Sequence, residues 1–174
     1  MRNEWNLRYA RWMIADGEPD RHVGDVFEWF AVAFSSDIKL SRVENGVKSA
    51  VPVGDYAYRV VAEVTYVSDK ACIIDFGLKA TSSSGELPTG SRPGDYIEGE
   101  IYLNLPLCVD VEESLSHTWQ VNRILADLTA YVPHPEYPDG FMRDASNVRY
   151  QETTDTDAVR AKSYVLHCSE VGKA

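Results

Sequence analysis

The stretch Tyr56-Ala57-Tyr58-Arg59-Val60-Val61-Ala62-Glu63-Val64-Thr65-Tyr66-Val67 decides the fold class. Successive side chains of a strand point to opposite faces. Here one face reads Tyr56, Tyr58, Val60, Ala62, Val64 and Tyr66, while the other carries Arg59, Glu63 and Thr65 among apolar residues. The period predicts a long strand with a mixed outer surface. The polar link Ser68-Asp69-Lys70 then leads into Ala71-Cys72-Ile73-Ile74-Asp75-Phe76-Gly77-Leu78, and two β-rich runs joined by so short a link predict a hairpin.

Working outward, Tyr96-Ile97-Glu98-Gly99-Glu100-Ile101-Tyr102-Leu103 alternates again, with Ile97, Ile101 and Leu103 on one side and Glu98 and Glu100 on the other. Gly99 falls on the apolar side, which predicts a bulge or a close backbone approach. The stretch 26–34 is dense in β-formers and reads as a strand buried on both faces, although nine residues do not exclude a helix. Trp5, Leu7 and Tyr9 alternate and predict a strand, although Trp5, Tyr9, Trp12 and Met13 also fall at helical spacing. In 119–128, Val121, Ile124, Leu125 and Leu128 fit a helix face, and Ser114 or Ser116 would serve as its N-cap.

Gly24-Asp25-Val26, Gly54-Asp55-Tyr56 and Gly94-Asp95-Tyr96 each place Gly-Asp before a β-rich run, a reuse of turn chemistry at strand starts. The pattern resembles small Greek-key barrels, OB-like folds included, and that resemblance implies an architecture without a function. Polar connections are expected at 41–52, which holds Asn45-Gly46, and at 81–93, a loop long enough to suggest a functional role. Past Tyr131, the prolines at 133, 135 and 138 exclude a helix, and two further β-like runs follow at 147–153 and 158–168. The prediction is therefore a mainly β protein: a small β-barrel or curved antiparallel sheet with one or two short helices. Residues 1–131 form the β-rich barrel-like domain, and 132–174 add a Pro-rich connection and a C-terminal β-hairpin or arm packed on it.

A chain of 174 residues buries roughly 70% of its unfolded surface and needs no metal or disulfide staple. Cys72, Cys108 and Cys168 lie in or beside apolar stretches and read as buried free thiols. Only Cys168 has a neighbouring base, His167, and strand neighbours point to opposite faces. The first residues lack a signal-peptide pattern and no apolar run is long enough to span a bilayer, so the expectation is a cytoplasmic protein off the membrane.

The distinguishing property is charge: 27 acids against 17 bases, a net of −10. Residues 1–91 hold 13 acids and 10 bases, whereas 92–174 hold 14 and 7. Duplex nucleic acid and anionic membrane are disfavoured, because both are bound by neutralising phosphate with Lys and Arg. The concentration instead nominates Asp95, Glu98, Glu100, Glu112 and Glu113 as a surface for a basic protein partner, in the manner of an immunity protein or inhibitor. Such a protein is expected to be non-enzymatic, and it leaves room for a homo-oligomer.

Two other classes compete with this reading. Asp75 reads as an acid hydrogen-bonded at a strand end or facing solvent. Its apolar neighbours leave open a raised pKa suited to acid–base work, and with His117, Trp119 and Tyr58 it then defines an alternative pocket for a small molecule or substrate. An aromatic barrel face also suits single-stranded nucleic acid, but Glu98 and Glu100 stand where basic residues are wanted. The histidines at 22, 117, 134 and 167 lack metal-site spacing, and the nucleophile-elbow, dinucleotide and P-loop patterns are absent. No cofactor and no metal are expected.

Overall fold

A computed structural model describes residues 3–29, 31–105 and 115–172 and shows a mainly β protein. The first strands are β1 (Glu4–Ala10), β2 (Val26–Trp29), β3 (Val32–Ser35), β4 (Ser41–Val43) and β5 (Ser49–Pro52). Then come β6 (Ala57–Val67), β7 (Ala71–Asp75), β8 (Lys79–Ser83), β9 (Tyr96–Asn104) and β10 (His117–Asp127). The chain ends with β11 (Tyr131–Pro133), β12 (Phe141–Arg143), β13 (Tyr150–Thr153) and β14 (Ser163–Glu170). Helical structure among the described residues is one turn, α1 (Arg11–Ala15), and a 3-10 turn at Ser84–Glu86. The competing periods at the start of the chain thus belong to two elements, a strand followed by a helical turn.

Five strands close a barrel. β6, β7 and β8 form an antiparallel meander, and β9 returns to pair with β6. The spatial order β9-β6-β7-β8 is a Greek key. β3 seals the gap, antiparallel to β9 and parallel to β8, so the barrel is mixed. Its interior holds Tyr58, Val60, Ala62 and Val64 of β6 together with Ile97, Ile101 and Leu103 of β9. The alternation of β6 breaks once. A register shift between Val64 and Tyr66 turns Tyr66 away from the interior, onto a small outer cluster of Ala31, Ile73 and Leu115.

A second antiparallel leaf continues the sheet. β10 lies at its centre, with β14 and then β1 on one edge and β2 and β13 sharing the other. β1 joins the barrel through a parallel pairing of Arg8 with Asn104 and the bond from Leu105 N–H to Arg8 C=O at 2.9 Å. Trp5, Leu7, Tyr9, Trp119, Ile124, Tyr164 and Leu166 face inward and merge with the barrel residues in one core.

Two expectations are corrected here. The helix expected over 119–128 is strand β10, and the cause is a bulge. The register slips at Asn122, between Val121 and Arg123, so the buried series runs Trp119, Val121, Ile124, Ala126. That single three-residue step mimics a helix face in a strand of otherwise strict period two. Nor do the two C-terminal β-like runs form a hairpin: β13 and β14 lie on opposite edges of β10, and β14 supplies Tyr164, Leu166 and Cys168 to the core.

Candidate functional site

β9 turns Ile97, Ile101 and Leu103 inward, so Glu98, Glu100 and Tyr102 stand on the outside. Along one edge of β9, β4 pairs with residues 96–98 and β3 with 102–104. Between them the connection at 36–40 crosses Gly99, and the buried Leu40 fills the interior space that a side chain at 99 would take. A Cβ on Gly99 would lie 2.5 Å from Leu40 Cδ2. The glycine on the apolar side is thus a close approach and needs no bulge.

The crossing leaves a groove of about 320 Å³ on the outer surface. Glu98, Glu100 and Tyr102 line it from β9, and Asp37, Ile38 and Lys39 from the crossing segment. Tyr102 donates its hydroxyl proton to Asp37 Oδ2 at 2.8 Å. That bond, together with burial, pushes the phenol up to about 12, so it remains a neutral donor. Its ring packs 5.9 Å from that of Tyr56, and Ile38 is 82% exposed at the rim.

Neighbouring acids are already engaged. Lys48 bridges Glu63 at 2.7 Å and Asp75 at 2.9 Å, and Arg42 lies 3.5 Å from Asp95. Asp95 also accepts the Arg92 N–H at 2.9 Å, which commits it to its turn. By contrast, no ion pair involves Glu98 or Glu100 among the described residues, and the register sets Glu98 between Val61 and Ser41, with Arg59 across from Glu100. Of the five acids nominated from sequence, the structure brings Glu98 and Glu100 together, places Asp95 at the turn leading into the same strand, and leaves Glu112 and Glu113 outside the described residues. Sequence reasoning missed Asp37, Ile38 and Tyr102. The one available signal was Gly99, which marks where another segment must cross.

The alternative pocket is not assembled. Tyr58 is fully buried in the barrel, its hydroxyl accepting the Asn6 N–H at 2.7 Å. Trp119 is buried in the leaf with the His117 ring 5.5 Å away, and His117 Nδ1 sits 2.8 Å from Glu170 Oε1. Asp75 lies elsewhere, at the outer end of β7. Burial would push its carboxyl up, but the Gly77 N–H at 2.9 Å and the Lys48 ammonium outweigh burial and hold it below the ordinary value. The raised pKa that acid–base work would need is absent, and Asp75 is an ionised acid hydrogen-bonded at a strand end. Burial pushes the Cys72 and Cys168 thiols up to about 12, far from a reactive thiolate, and Cys108 lies outside the described residues. Among the described residues no group of three or more His, Cys, Asp or Glu is disposed to hold a metal ion, and no helix is long and apolar enough to cross a membrane.

The Asp75 geometry sets a pH dependence. A carboxyl whose folded pKa is depressed contributes stability that is complete above its unfolded value, about 3.9, and is lost as pH falls through the lower folded value. Urea melts of Asp75→Asn against wild type should differ at neutral pH and converge at the acid end. Parallel curves throughout would contradict the assignment.

No family model, curated protein or solved structure matches this chain.

Proposed function

We propose that the protein is a non-enzymatic binding module whose β9 groove receives a basic segment of a protein partner. The observation that carries this reading is the pair of strand carboxylates, Glu98 and Glu100, lining one groove with Asp37; Lys39 lines it too and Arg59 stands across from Glu100, but neither forms an ion pair with them among the described residues. A lysine or arginine head seated there gains several carboxylates, and its methylene stem finds Ile38 and the Tyr102 ring. The acid excess of residues 92–174 adds steering toward a cationic surface. Neutralising a basic protein, as an inhibitor or immunity protein does, is the form of binding this composition favours. The same face supports nucleic acid poorly, because its outward positions carry acids where a strand-binding surface carries Lys and Arg.

The test is fluorescence anisotropy with oligo-arginine and oligo-lysine peptides at physiological salt. The double variant Glu98→Lys/Glu100→Lys should weaken binding by roughly thirtyfold, about 2 kcal/mol, with an unchanged melting temperature. Reversing Asp155 and Asp157 changes net charge equally at a distant loop and should leave most of the affinity intact. Equal losses in the two variants would reduce the effect to bulk charge and sink the groove.

A further inference from the structure

Two surfaces outside the groove expose apolar side chains. The first is β5 with the residues flanking it, where Val47, Val51 and Val53 are exposed. Its Val53 N–H donates to Ala57 C=O at 3.0 Å, so the odd residues of β5 turn their backbone groups to β6, and Ala50 and Pro52 face the open edge. Proline has no N–H to offer there, which blunts the edge against strand addition.

The second surface is the β11–β12 ribbon, which pairs outside the main sheet. The register places Tyr131 opposite Arg143 and Pro133 opposite Phe141, so all four share one face. The inner half of that face is anchored: Arg143 Nε donates to Asp127 at 2.8 Å, its Nη2 donates to Tyr150 Oη at 2.6 Å, and the Lys162 ammonium sits 3.7 Å over the Tyr131 ring. The outer half continues past the body. Phe141 is 68% exposed although it lies on the docking face, and Tyr137 at the tip is 63% exposed. A two-stranded ribbon is marginal in water by itself, and an uncovered aromatic on its anchored side is a place for a partner to pack. The charge there is one-sided. Glu136 and Asp139 at the tip make no ion pair among the described residues, while the ribbon's own cation, Arg143, is engaged.

We propose that the ribbon is a clasp that closes over an apolar and basic segment of the same partner, Phe141 and Tyr137 packing on its apolar side chains and Glu136 and Asp139 meeting its cations. The proposal rests on the groove reading, to which the ribbon is joined through neighbouring groups: Tyr150 donates to Asp55 at 2.7 Å, Asp55 precedes Tyr56 in the chain, and Tyr56 packs on the groove's Tyr102.

Two probes separate the parts: oligo-arginine, and a peptide of the same length in which Arg alternates with Leu. Wild type should bind the alternating peptide more tightly. Phe141→Ser with Tyr137→Ser should remove that advantage, roughly tenfold, and leave oligo-arginine binding unchanged, while Met142→Ser on the opposite face should do neither. Equal affinity of wild type for both peptides overturns the clasp and spares the groove. An alternating peptide that binds through Phe141 while oligo-arginine does not bind overturns the groove and retains the ribbon as a contact surface. A concentration-dependent dimer made monomeric by Phe141→Ser would assign the ribbon to a second copy of the chain and overturn the proposal.

Discussion

Trp5→Ala should destabilise the protein by about 3–5 kcal/mol, enough to lower the melting temperature by roughly 10 °C in a chain of this size. Trp5 is 1% exposed and lies on β1, the strand through which the leaf meets the barrel. Its ring centroid is 5.4 Å from that of Tyr58 in the barrel interior and 5.6 Å from that of Phe76 at the end of the β7 hairpin. Truncation removes a large apolar surface and leaves a cavity where the leaf meets the barrel. Because one core serves both parts, barrel and leaf should melt together, with circular dichroism and tryptophan fluorescence giving coincident transitions. Trp5→Phe retains most of the packing. It also deletes an indole N–H with no acceptor among the described residues, and should cost far less. A cost below about 1 kcal/mol for Trp5→Ala, or two separated transitions, would contradict a shared core.

Arg143→Leu should cost about 3 kcal/mol, more than the usual range for a surface residue. Asp127, whose side chain is 8% exposed, would lose its counter-charge at 2.8 Å and keep, among the described residues, the Thr129 N–H at 3.0 Å. The Tyr150 hydroxyl, pushed up by burial and by its bond to Asp55, would lose the Arg143 donor as well. Arg143→Lys should rescue little. One guanidinium bonds Asp127 and Tyr150 and lies 3.8 Å from Asp55, a fork that an ammonium cannot reproduce. Hydrogen exchange adds a local readout: the His134 N–H, bonded to Gly140 C=O at 2.8 Å, should lose protection before the barrel amides do. Unchanged exchange in the ribbon would show that Arg143 does not hold it.

The barrel was legible where a strand pairs locally and keeps its period. The alternation in 56–67 and 96–103 reports β6 and β9, and the short polar link at 68–70 reports the β6–β7 hairpin. What was hidden is non-local or out of phase. The parallel pairing of β3 with β8 leaves no mark on either strand, and neither does the insertion of β10 between β13 and β14. One extra residue at Asn122 disguised a strand as a helix, and a similar slip before Tyr66 sent a ring predicted for the core to the opposite face. At the groove, Glu98 and Glu100 were readable as an acidic strand face. Their opposing wall was not, because an exposed Ile38 and a Tyr102–Asp37 bond depend on where the crossing segment lies. The partner of Asp75 was hidden for a related reason: its apolar neighbours in sequence conceal Lys48, which arrives from the connection between β4 and β5.

The most direct test of the groove is an amide chemical-shift titration of the isotope-labelled protein with oligo-arginine at physiological salt. Saturable shifts should concentrate at residues 37–41 and 96–102 and disappear in Glu98→Lys/Glu100→Lys. Shifts centred instead on the acidic loops at 16–25 and 154–158, or spread without saturation, would contradict the claim that β9 carries the binding site.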